Sequence, residues 1–293
     1  INQKMTKRSH LLISSILLLL LLQCHQCSST AAGQETLLGI RGPDFVVLGA
    51  DSSISSNIAL TASNFDKIMV LVDPFPGNIS STCSTAYNTW MINNNKRRQQ
   101  TILAAAAGDP ADADRLLSLL RAHCAIREFE NGVGCDVEFL TLLQPDEQQQ
   151  QQVNTSKMGL DAEMIAHVAR GEISSALRSR AQLKVCLLIA GLCRRTTQTL
   201  ENNDDDNNFL EPRLLWIDEY GSLQSIRYGA HGFGANFALS ILDRGYRSDM
   251  TKAEAVELVR DCFRQLRVRY VINSPQPPCI KCVDVDGCSL LMS

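Results

Sequence analysis

Residues 183–193 form a nearly unbroken apolar run in which Lys184 is the one charge. A run this short has no polar face to give to water, and it reads as a strand covered on both sides. The chain must therefore place layers above and below that strand. Other segments supply material for the layers. Residues 35–42 and 44–51 are apolar runs joined by Gly42-Pro43-Asp44, the signature of a β-hairpin. Residues 66–72 and 101–107 are the next predicted strands, and residues 214–217 and 223–228 predict a second hairpin around Tyr220-Gly221. A last strand is predicted over residues 279–285.

Four helices are predicted between these strands. Asp109 is suited to the N-cap, Pro110 to the first helical position and Asp112 to the positive end of the dipole. Leu116, Leu117, Leu120 and Cys124 then form an apolar stripe. Residues 158–180 form a second helix with Met164, Ile165, Val168, Ile173 and Leu177 inward. A third runs over residues 235–244 and stops at Gly245, read as a C′ glycine. The fourth opens on the capping box Thr251-Lys252-Ala253-Glu254 and continues with Ala255, Leu258, Val259, Cys262, Phe263 and Leu266 at helical spacing. The order is strands, two helices, strands, two helices, a strand. Two sheets packed face to face, each covered outside by a helix pair, satisfy it.

Composition narrows the function classes. The 293 residues carry 28 basic and 31 acidic side chains, a formal charge of −3, with no basic surplus for nucleic acid. A mean hydropathy of −0.06 excludes a polytopic membrane protein. Eleven cysteines are too sparse for a disulfide scaffold in a chain of this length. Cys279-x-x-Cys282, with Cys288 nearby, lacks the second ligand pair that structural zinc needs, and these read as strand cysteines. No metal or cofactor is expected.

Residues 1–34 are of different material. Lys7 and Arg8 precede an apolar stretch at 11–22, and small residues follow at 28–33. This is the order of a secretory signal cut near Ala32 or Gly33, with an apolar core too short for a membrane span. The other reading is a leader translated from upstream, with Met5 as the first possible start. Residues 78–100, 144–157 and 196–211 are polar, rich in Asn, Gln or Ser, and read as insertions in one domain over 35–293. The sequons at Asn78 and Asn154 matter only if the leader is a true signal.

Several phrases together resemble the proteasome β-type subunits. They are the hairpin from Gly39 to Ser52, then Asp66-Lys67-Ile68, Ala107-Gly108-Asp109, Gly232-Phe233-Gly234-Ala235 and the stretch from Ser240 to Tyr246. Within that family the chain looks most like the non-catalytic β4 type. The resemblance implies an α+β fold, a four-layer αββα sandwich of the N-terminal-nucleophile hydrolase type. It also implies a place in a heteroheptameric ring stack with other proteasome β and α subunits, in cytoplasm and nucleus, with no nucleic acid and no membrane as partner.

Active family members attack with an N-terminal Thr whose own amine is the base. Asp51 and Lys67 stand at the two supporting positions. Sixteen residues before Asp51, the nucleophile position holds Glu35, which has no hydroxyl. Thr36 is one residue late, and a one-residue slip in a strand turns a side chain to the opposite face. Phe233 replaces the Ser of a Gly-Ser-Gly motif, adding bulk beside the site. Tyr270 and Asn273 replace an Asp and a Ser. The residues therefore predict a non-catalytic structural subunit of the β ring of the 20S core particle, with Asp51 and Lys67 kept as an ion pair. The alternative is a divergent, secreted hydrolase that uses Thr36 after processing. Deleting residues 144–157 is expected to leave the midpoint of urea unfolding nearly unchanged, because loop length enters chain entropy only logarithmically.

Overall fold

The central strand is where the apolar run places it. In the computed structural model β7 (Val185–Arg194) is the middle of a five-stranded antiparallel sheet, ordered β5-β6-β7-β8-β9. The other strands of this sheet are β5 (Ile68–Val72), β6 (Ile102–Gly108), β8 (Leu210–Ile217) and β9 (Leu223–Ser225). The second five-stranded sheet is ordered β10-β1-β2-β11-β12, from β1 (Thr36–Arg41), β2 (Val46–Ala50), β10 (Tyr228–Gly232), β11 (Cys279–Asp284) and β12 (Gly287–Leu290). A small pair, β3 (Ile54–Ser56) and β4 (Ala59–Ala62), lies apart from both. The helices are α1 (Pro110–Glu130), α2 (Ala162–Leu177), α3 (Ala235–Gly245) and α4 (Lys252–Arg269). The structure describes residues 35–56, 59–72, 101–130, 160–179, 181–194, 210–269 and 276–291. The leader at 1–34, the insertions at 78–100 and 144–157, most of that at 196–211, and Tyr270 and Asn273 lie outside them.

Three apolar layers hold the sandwich together. Leu116, Leu120 and Cys124 of α1 and Ile165, Ala169 and Ile173 of α2 pack on Leu187 and Ile189 of β7. Between the sheets, Leu37, Val46 and Leu48 meet Leu103, Ala105, Leu188, Ala190 and Leu214. On the far side, Leu38, Ile40 and Val47 meet Leu242 of α3 and Val259, Cys262, Phe263 and Leu266 of α4. This is the four-layer αββα order. Side chains alternate along β1: Leu37 faces the other sheet, while Leu38 and Ile40 face the helices. Among the described residues no helix is long and apolar enough to cross a membrane.

Several local expectations needed correction. The predicted strand over 223–228 is broken: β9 ends at Ser225, and β10 begins at Tyr228 in the other sheet. Strand β8 begins at Leu210, so the last two residues of the 196–211 insertion belong to the sheet. Strands β3, β4 and β12 escaped the sequence reading altogether. Gly245 is the last residue of α3 rather than a residue beyond it, and Tyr246 caps the helix through its N–H to the Leu242 carbonyl. The capping box at Thr251 holds, with the Thr251 N–H 2.8 Å from Glu254 Oε2. The Cys279-x-x-Cys282 spacing is odd for a strand, so the two side chains diverge. Cys282 joins the helix-side layer, while Cys279 and Cys288 join the inter-sheet layer.

His231 is buried between the sheets, stacked 4.7 Å from Trp216, with Nε2 3.2 Å from the Leu187 carbonyl. Burial lowers its pKa from 6.5 to about 4. The folded pKa is depressed below the unfolded one, so the imidazole is neutral in both states above pH 6.5 and costs nothing there. Between pH 6.5 and 4 only the unfolded chain takes the proton. Stability is expected to fall across that window by up to about 3 kcal/mol from this group, and a His231→Phe variant is expected to show a shallower loss in urea unfolding against pH.

Candidate functional site

The site forms where β1 begins, β2 ends and β5 begins, beside the end of β6. Two residues with positive φ let the backbones approach. A Cβ on Gly232 (φ +92°) would lie 2.0 Å from the Glu35 carbonyl oxygen, and one on Gly108 (φ +137°) would lie 2.1 Å from the Lys184 carbonyl oxygen. Glycine is needed at both. The close approach at Gly232 brings the Phe233 N–H to the Glu35 carbonyl at 2.9 Å.

Asp51, Lys67 and Glu35 converge. Lys67 Nζ lies 3.0 Å from each Asp51 carboxylate oxygen, 2.7 Å from the Ser53 carbonyl and 3.5 Å from Glu35 Oε1. Glu35 Oε2 accepts the Gly108 N–H at 3.0 Å. Asp51 also accepts the Thr36 backbone N–H at 2.8 Å and the Ser53 hydroxyl at 3.1 Å. Glu35 and Lys67 are only 5% and 4% exposed. One ammonium thus serves two carboxylates in a buried space. Burial raises the Glu35 pKa above its usual 4.5; Lys67 and the Gly108 amide oppose the shift, and the Asp51 charge adds to it.

Thr36 takes the other face, as the alternation of β1 requires. Its hydroxyl accepts the Gly234 N–H at 3.2 Å on the helix side, where Phe263 and Leu266 of α4 stand near it. Thr36 is buried, and its backbone N–H is the group that reaches Asp51. Phe233 departs from the sequence reading. Its side chain is 56% exposed at the rim, so the expected bulk inside the site is a surface aromatic, and its backbone N–H makes the contact with Glu35.

Three contributors escaped the sequence reading. Ser53 and Gly108 supply the carbonyl and the amide that complete the network. A second buried lysine, Lys281, donates to Asp66 Oδ2 at 2.6 Å and to the Ile68 carbonyl at 2.5 Å, fixing the residues on either side of Lys67. The Asp-Lys-Ile phrase marks one end of this contact, but the partner lies 215 residues away and carries no local signal.

Comparison with known proteins finds similarity to proteasome subunits. The proteasome subunit family matches residues 157–276. The Arabidopsis thaliana proteasome subunit beta type-2-A is 29% identical over 253 residues, covering 86% of this chain and 91% of that protein. A probable proteasome subunit beta type-4 of Schizosaccharomyces pombe is 24% identical over 253 residues, 86% of this chain and 96% of its own length. A Trypanosoma brucei brucei proteasome subunit beta type-2 is 33% identical over a shorter stretch of 129 residues, 44% of this chain and 59% of that protein.

The chain is similar to proteasome β-type subunits over most of its length.

That similarity makes the start of β1 the place to ask what chemistry the chain can do. A nucleophile near Lys67 needs a hydroxyl or thiol on the inter-sheet face. The residue there is Glu35, whose carboxylate is already bound to two donors. The hydroxyl of Ser53 donates to Asp51 Oδ2 at 3.1 Å. Replacing Lys67 by Met would leave two carboxylates buried without their cation. The expected cost is about 3–5 kcal/mol in urea unfolding, with part of it recovered when Glu35→Gln is added to Lys67→Met.

Proposed function

We propose that the chain is a non-catalytic structural subunit of the β ring of a proteasome core particle. It serves protein degradation by completing the assembly, and no bond is broken at its own site. The observation that carries this reading is Glu35: a carboxylate, bound by Lys67 and the Gly108 amide, fills the position from which a hydroxyl would have to attack. Thr36, the residue on which a hydrolase would have to rely, presents its hydroxyl to Gly234 on the far face of the strand. On this reading residues 35–293 are the subunit domain, its partners are other proteasome β and α subunits, and its place of work is cytoplasm and nucleus. Names of relatives and the αββα fold support it.

Exposed apolar side chains on several elements fit a chain that works in company. Ile126 of α1 and Val268 of α4 are 56% and 78% exposed. Native mass spectrometry of material purified through an affinity tag on this chain is expected to show other proteasome subunits in a particle of fixed composition. A stable, monodisperse monomer at high concentration would contradict the proposal. A chain made to begin at a Glu35→Thr substitution is expected to show no peptidase activity on fluorogenic peptides, because one hydroxyl does not restore the remaining substituted positions. Hydrolysis above background, blocked by a threonine-directed epoxyketone, would contradict it.

A further inference from the structure

The carboxylate of Glu35 is held as a bound ligand would be, by donors that other contacts also hold. The Gly108 amide is fixed by its positive φ and by the neighbouring Asp109 N–H, which donates to the Lys184 carbonyl at 2.9 Å. The Lys67 ammonium is fixed by both Asp51 oxygens and the Ser53 carbonyl. Both donors approach the Glu35 carboxylate, one on each oxygen, from the β5 and β6 side of the same sheet.

We propose that Lys67 and the Gly108 amide form a preformed binding cradle for a small monocarboxylate, which the chain keeps filled with its own Glu35. The chemical class follows from the donors. A cation and an N–H set on opposite oxygens match a planar carboxylate, and charge-assisted bonds of this kind are among the strong ones. The size follows from burial: with Glu35 shortened to Ala, the space freed is that of an acetate. An empty cradle would leave a buried amide unpaired and an ammonium short of a partner, both costly. Filling it from within the chain also denies the Gly108 amide to any carbonyl oxygen entering from outside. The cradle is independent of the assembly role, since its test reads neither assembly nor peptide cleavage.

The test uses the full chain with Glu35→Ala, at neutral pH and fixed ionic strength, in sodium acetate or in sodium chloride. The readouts are hydrogen exchange at the Gly108 amide and the melting temperature. In chloride, Gly108 is expected to exchange at least about tenfold faster than in the unsubstituted chain, the loss of one charge-assisted hydrogen bond, and the melting temperature is expected to fall. Acetate is expected to restore both in the variant, benzoate to restore neither, and the unsubstituted chain to respond to none of the three. Adding Lys67→Met is expected to abolish the acetate effect. Equal responses to acetate in the variant and the unsubstituted chain, or protection in chloride equal to that in acetate, would overturn the proposal. If the variant does not fold in chloride, its refolding yield in acetate decides: a gain supports the cradle, and no gain overturns it.

Discussion

A buried ammonium between two carboxylates sets the terms for the rest of this molecule. Lys67 stands at the start of one sheet, while Glu35 and Asp51 stand at strand ends of the other, so this small charged set ties the two sheets together at one edge of their apolar interface. Charges taken out of water are tolerated only when paired and hydrogen-bonded. The surroundings comply: Ser53 gives a carbonyl to the lysine and a hydroxyl to Asp51, Thr36 gives an amide to Asp51, and Gly108 gives an amide to Glu35. Positive φ at Gly108 and Gly232 is part of the same arrangement, because any side chain there would strike a neighbouring carbonyl.

The consequence for function comes from the period of a β-strand. Leu37 faces the other sheet and Leu38 the helices, so Glu35 must share the inter-sheet face and Thr36 the helix face. To bring Thr36 to Lys67, β1 would have to slip by one residue. That slip would turn Leu38 and Ile40 from the helix layer into the inter-sheet layer and Leu37 the other way. The apolar core therefore holds the register that puts Glu35, and not Thr36, beside Lys67. That Glu35 rather than Thr36 stands beside Lys67 is a property of the packed sheet as much as of one residue.

Much of this was legible in the chain. The apolar run around β7 announced a strand covered on both faces, and the α1 and α4 stripes announced the helix layers. The period of a strand put Glu35 and Thr36 on opposite faces, and the resemblance to proteasome β-type subunits singled out Asp51 and Lys67 beside them. The failures have physical reasons. Residues 223–228 read as one strand, but the chain leaves one sheet at Ser225 and enters the other at Tyr228, and no local pattern marks a change of sheet. Strands β3 and β4 are three and four residues long, and β12 is four. Gly108 reads as the approach to a helix, because an amide aimed at a residue 73 positions away leaves no mark on its neighbours. At Phe233 the bulk is legible but the direction is not, since exposure at a turn depends on tertiary packing.

The most direct test treats the native particle containing this chain with a threonine-directed epoxyketone and then measures the intact mass of the unsubstituted chain. Such a reagent needs a hydroxyl beside an amine in reactive geometry. The account expects no added mass on this chain while the reagent is in excess and reactive towards a control threonine protease. An adduct on this chain, mapped by peptide sequencing to Thr36, would contradict it.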